Sequence, residues 1–170
     1  MTGTTSIHSP VAPEAERSLL RHTLATLAYR GGKAVRDAPV GFADHRAAPS
    51  SRTPVEILAH VGDLLGWAVG LADGRHEWHE ATPLPWEEEV DRFHAALAAL
   101  DRRLAAPEPL GFPAGRLFQG PIADALGHVG QITLLRRMAG APVRGENYFK
   151  ADITAGRVGP GQAPPRREFE

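Results

Sequence analysis

The chain has 170 residues and no cysteine, which removes disulfides, thiolate metal ligands and an intrinsic sulfur nucleophile together. Its length fits one domain with an ordinary core, and 42% hydrophobic with 23% charged residues is a globular composition, not a disordered one. The net charge of −1, with acidic and basic residues interspersed, offers no basic face for a phosphate backbone and excludes nucleic acid as the expected partner.

Residues 1–12 read as a loose tail. They lack a basic segment followed by an apolar one, so no signal peptide is expected and a cytoplasmic location follows as the expectation. The Ala, Arg, Gly and Pro bias is that of a GC-rich bacterial genome. A first helix starts near Pro13, a residue suited to the first helical turn. Leu20, Leu24 and Leu27 follow at helical spacing. The helix ends by Ala38, because Pro39 disfavours a helical predecessor. A loop rich in Pro, Ala and Ser fills 39–52.

The second helix has the clearest start. Thr53, Pro54 and Glu56 supply the N-cap, the first-turn proline and the capping-box acid. It runs to about Ala72 and stops at Asp73-Gly74. Glu56, His60 and Asp63 interrupt its apolar run, so a buried helix is expected and no membrane span. Gly62, Gly66 and Gly70 recur down one side. Each costs about 1 kcal/mol relative to Ala, and close approach of another helix is the expected compensation.

The third helix begins near Trp86 and places Val90, Phe93, Leu97, Leu100 and Leu104 on one stripe. After a Pro/Gly-rich connection over 106–120, a fourth helix opens at Pro121 and closes at Gly140. Its apolar residues lie nearly all round, the pattern of a helix at the centre of a bundle. A short strand or turn is expected at Asp152–Thr154, within an otherwise irregular arm over 141–170. The expectation is therefore a single all-α domain over 1–170, a four-helix bundle at 13–140 with a C-terminal arm. The two loops of about 14 residues are longer than an up-down bundle needs, and can hold a site or allow a crossover topology.

Two helices carry the chemistry. On the second, Ile57, His60, Val61, Leu64 and Trp67 share a face, which turns His60 inward. On the fourth, Asp124, His128 and Gln131 fall on neighbouring turns. Two imidazoles and one carboxylate from two helices make a three-ligand metal site with open positions. A buried Asp124 would be expensive without a cation. The opposing reading makes His60 a hydrogen-bonded core residue and Asp124–His128 an ordinary helical ion pair. Asp63, one turn after His60, is either a partner that orients the imidazole or a solvated carboxylate. Gln131 can hydrogen-bond a ligand or a metal-bound water. Trp67 and Tyr29 are candidates for pocket lining, with core packing an equal explanation. His8, His45, His76, His79 and His94 are expected at the surface or half-buried. Glu146, Asn147 and Tyr148, in GENYFK, suggest no mechanism.

The segments LAHVGD and GHVGQITLLRRMAG resemble the DinB/YfiT-like superfamily of small four-helix metalloenzymes, over roughly 13–140. Carried over by position, the resemblance implies a ligand triad of His60, Asp124 and His128. Asp124 stands where most members have His. The mycothiol-dependent maleylpyruvate isomerase branch has a carboxylate, Glu, in that slot, and Asp is one methylene shorter. The resemblance also implies a divalent transition metal (zinc foremost, with nickel, iron or manganese as alternatives) and low-molecular-weight thiol chemistry. In that picture His60 and His128 hold the metal, Gln131 orients the bound water or thiolate, and Trp67 walls the apolar side of the cofactor pocket.

The expected activity is thus transfer or isomerisation with a small-molecule thiol and an electrophilic substrate. Metal-dependent hydrolysis is the nearest alternative. A stress-associated binding or dimerisation module is the non-catalytic one. The ligand set also permits a non-haem iron oxygenase, which the fold reading does not support. A homodimer is expected from the glycine ladder, the surplus apolar positions of the fourth helix and the long arm.

Overall fold

Four long helices carry the structure, a computed structural model that describes residues 13–169: α1 (Pro13–Val35), α2 (Pro54–Ala72), α3 (Trp86–Ala105) and α4 (Ala123–Met138). The expected tail at 1–12, with His8, lies outside the described residues. In α1, Leu20, Leu24, Leu27 and Ala28 turn into the core. Gly31 belongs there for a packing reason: a Cβ at that position would stand 2.5 Å from Cζ of Phe93. The ring of α3 rests on the α1 backbone, and this contact offsets the helix-propensity cost of about 1 kcal/mol.

The start of α2 follows its sequence signals. The Thr53 hydroxyl accepts from the Glu56 N–H at 3.3 Å, and the Glu56 carboxylate accepts from the Thr53 N–H at 2.6 Å. α2 packs against α3 and α4, and α1 against the same two helices. α1 and α2 therefore occupy opposite corners, as do α3 and α4, so the two long connections each cross between corners. The first buries Phe42, whose ring meets Trp86 edge-on at 5.6 Å. α2 is long and apolar enough to cross a membrane, but 61% of that window is buried inside the fold.

The glycine ladder of α2 does not meet a helix backbone. Gly62 lies under the Arg92 guanidinium, 3.0 Å from where its Cβ would be. Gly66 faces open space, and Gly70 faces the Arg75 carbonyl. The ladder admits an arginine and a loop.

The fourth helical segment begins earlier than its proline suggests. A first turn forms at Ala114–Leu117, a π turn spans Phe118–Ile122 with Pro121 inside it, and α4 continues from there. The Ala123 N–H reaches back five residues to the Phe118 carbonyl. Proline has no N–H and crowds the carbonyl four residues back, and a widened turn relieves both. Nor is α4 central. Val129, Ile132 and Leu135 are buried, while Leu134 and Met138 are each 53% exposed. The helix stops as expected, with Gly140 at positive φ.

The arm is irregular but fastened. Its regular parts are a 3-10 turn (Tyr148–Lys150) and an antiparallel pair, β1 (Gly145–Glu146) with β2 (Glu168–Phe169), and no strand forms at Asp152–Thr154. Glu146 is buried, accepts from the Tyr29 hydroxyl at 2.8 Å and pairs with Lys33 at 2.9 Å. Lys33 also reaches Glu168 at 2.7 Å. Tyr29 thus latches the arm and lines no pocket at the candidate site. Arg136 is buried and donates to the carbonyls of Ala34, Arg36, Asp37 and Ala141, closing the far end of α1 and α4.

Candidate metal centre

His60 projects from the first half of α2 and meets the first turns of α4, which carry Asp124 and His128. The ring centroids of His60 and His128 are 4.8 Å apart. Nε2 of His60 stands 3.9 Å from Oδ2 of Asp124, and Nδ1 of His128 stands 3.2 Å from Oδ1. One ligand atom from each of the three residues lies within 4.8 Å of the others, so the cluster can hold a metal ion. Nitrogen and oxygen ligands about 2.1 Å from a tetrahedral ion are about 3.4 Å apart. The 3.9 Å between His60 Nε2 and Asp124 Oδ2 is close to that spacing, and side-chain rotations within the 4.8 Å cluster bring His128 to it.

The two imidazoles are set up as donors. His128 Nδ1 donates to the Asp124 backbone carbonyl at 2.9 Å, which leaves Nε2 with its lone pair free. Burial first, then the neighbouring His128 and Arg52, holds the His60 imidazole below its usual pKa against the opposing pull of Asp124 and Asp63. A neutral imidazole is the form that binds a cation. Asp124 departs from expectation. Its side chain is 51% exposed, so the cost of burying a carboxylate does not demand a cation here. What favours a metal is the convergence of the three side chains.

Asp63 neither orients His60 nor lies in solvent. It is buried, accepts from the Ala81 N–H at 3.2 Å and pairs with Arg92. Arg92 also meets the fully buried Glu89 at 3.2 Å and the Ala59 carbonyl at 3.1 Å. Glu89 in turn accepts from the Leu84 N–H at 2.9 Å. This network ties the 73–85 loop to α2 and α3, next to the turn that carries His60. A cavity of about 250 Å³ opens beside His60, lined by Arg52, Glu56, Asp63 and Glu80 among others.

The loop brings a residue that the sequence reading passed over. The Trp78 ring meets His60 at 5.6 Å and Trp67 at 5.8 Å, both edge-on. Its only sequence signal was an aromatic residue between two histidines in a loop. Trp67 is half-buried, stacks on His76 at 5.6 Å, and carries a buried indole Nε1 without a hydrogen-bond partner. Gln131 is exposed, one turn after His128. His79 is exposed and His76 packs on Trp67. His94 corrects its expectation: it is buried, with Nδ1 3.3 Å from the Val158 carbonyl. Comparison with models of protein families, with curated proteins and with solved structures finds no match to this chain.

Proposed function

We propose that the chain is a DinB-like four-helix bundle and a divalent-metal enzyme, a transferase or isomerase that joins a low-molecular-weight thiol to an electrophile. The convergence of His60, Asp124 and His128 carries this reading. Zinc is the metal of choice for two imidazoles and a carboxylate, with nickel, iron and manganese as alternatives. Such an ion supplies Lewis acidity, which lowers the pKa of a thiol or water at an open position.

The chain's own groups have separate tasks. His60 and His128 present ring nitrogens, and Asp124 contributes charge from the solvent side. Gln131 orients the thiol or water from the turn after His128. Trp67 and Trp78 keep water from the apolar side, where a desolvated sulfur is a stronger nucleophile. The reading includes a homodimer through the exposed Leu134 and Met138 face of α4, which light scattering at tens of micromolar checks.

Metal analysis of tag-free protein is the first test, with one equivalent of a transition metal expected. The second incubates the metal-loaded protein with mycothiol, bacillithiol or glutathione and a panel of electrophiles, beside His128→Ala. Faster thiol consumption than in the variant supports the reading. A metal-loaded protein that consumes no thiol overturns it in favour of hydrolysis or a binding role. A chain that takes up no metal, with stability indifferent to chelator, is a non-catalytic binding module.

A further inference from the structure

A second cavity, of about 430 Å³, lies further along the seam that holds the cluster, between the C-terminal half of α2 and the helical lead-in to α4. We propose that it is a binding subsite for a small, flat, apolar carboxylate. Its place in a reaction rests on the metal-enzyme reading above. Its binding does not.

Shape comes first. The volume falls within the range of small-molecule sites. Trp67, Leu71, Phe112 and Pro121 supply apolar walls, and His76 stacks on Trp67 with an interplanar angle of 26° while meeting Phe112 edge-on at 6.1 Å. These rings come from three parts of the chain, brought together where Gly111 touches Gly74. A Cβ at Gly111 would stand 2.1 Å from the Gly74 nitrogen. That contact lets the 73–85 and 106–113 loops close on each other, with the Gly111 N–H bonded to the Ala72 carbonyl at 2.9 Å. Walls of rings and prolines favour a flat apolar body through stacking and dispersion.

Charge comes second. Arg116 lines this cavity from an exposed position and makes no ion pair or side-chain hydrogen bond among the described residues, which leaves its guanidinium open to a ligand. Gln119 lies beside it. No acidic residue lines the cavity, while both neighbouring cavities on α2 carry acids, Asp63 with Glu77 in one and Glu56 with Glu80 in the other. One unpaired guanidinium at the polar end of an apolar slot matches a carboxylate, whose two oxygens suit its planar fork.

Placement comes third. Trp67 is seven residues beyond His60 on α2, and Gly120 is four before Asp124. These separations are about 10 Å and about 6 Å along the helix axes. A Cβ at Gly120 would stand 4.0 Å from Cζ3 of Trp67. A ligand held here approaches the cluster along the seam, past Trp67.

The test is calorimetric titration of metal-free protein with 2-naphthoate and its neutral counterpart 2-naphthamide. The carboxylate is expected to bind about tenfold more tightly than the amide. Arg116→Glu, at an exposed position, should erase that preference and weaken 2-naphthoate at least tenfold. His76→Ala should weaken both probes alike. His128→Ala should bind both as the wild type does, which separates this subsite from the metal reading. Equal binding of the two probes, or an Arg116→Glu variant that keeps the preference, overturns the carboxylate assignment. Absence of binding by both at millimolar concentration overturns the subsite, whether a second copy covers it or nothing does. Binding that vanishes in His128→Ala places the probe on the cluster and overturns it too.

Discussion

Of the three converging side chains, Asp124 is half in water, while the His60 and His128 side chains are 19% and 14% exposed. Asp124→Ala should therefore weaken zinc binding more than tenfold and leave the metal-free fold within about 0.5 kcal/mol of wild type. Chelator competition and urea denaturation measure the two. Asp63 behaves in the opposite way. Buried beside Arg92, it should cost about 2 kcal/mol on change to Asn, because the guanidinium keeps Glu89 but loses one of its two carboxylates. The His60, Asp124 and His128 positions were legible because residue type and helical spacing are local properties. Arg92 as the partner of Asp63 was not, since 29 residues separate them. Trp78 was missed for a similar reason: a loop side chain is placed by what anchors its loop, here the carboxylates of Asp63 and Glu89.

Helix boundaries were readable wherever the signal is local. The capping box of α2 formed as its sequence states, and Thr53→Ala should cost about 1 kcal/mol by urea denaturation without shifting the other helices. Pro121 misled because the missing N–H of proline suits a helix start and a π turn equally. The apolar residues around α4 misled in another way. Hydrophobic pattern gives a helix's faces but not how many neighbours cover them, and Leu134 and Met138 remain exposed. The α2 glycines likewise pointed to close approach without naming what approaches.

At the scale of the molecule, two imidazoles make the metal-free fold sensitive to acid. Burial holds His60 and His94 below their usual pKa. The unfolded chain then takes up more protons as pH falls through about 6.5, so stability is full above that value and declines below it. The urea midpoint of metal-free protein should fall between about pH 7.5 and 5.5, and His94→Gln should flatten the decline. The arm is the second feature of this scale. A chain ending at Gly140 loses Glu146 and Glu168 from Lys33, and Val158 from the core. That truncation should cost about 3 kcal/mol and lower Tm by about 10 °C, read by calorimetry. Composition pointed to an arm without α-helix. It could not show that one carboxylate, Glu146, anchors it to a tyrosine and a lysine over a hundred residues earlier.

The wide turn at Phe118–Ile122 holds one residue more than an α-helix of the same rise requires. It acts as a slip joint. Residues after it keep the angular setting imposed by α4, including Asp124 and His128. Residues before it, Arg116 among them, take their setting from their own packing. Loss of a single residue within the turn would wind it to ordinary pitch and leave the segments on either side close to their present angular setting. In a lineage, such one-residue changes could remodel the slot beside Trp67 without disturbing the pair of imidazoles, so ligand preference could drift while the cluster stays fixed.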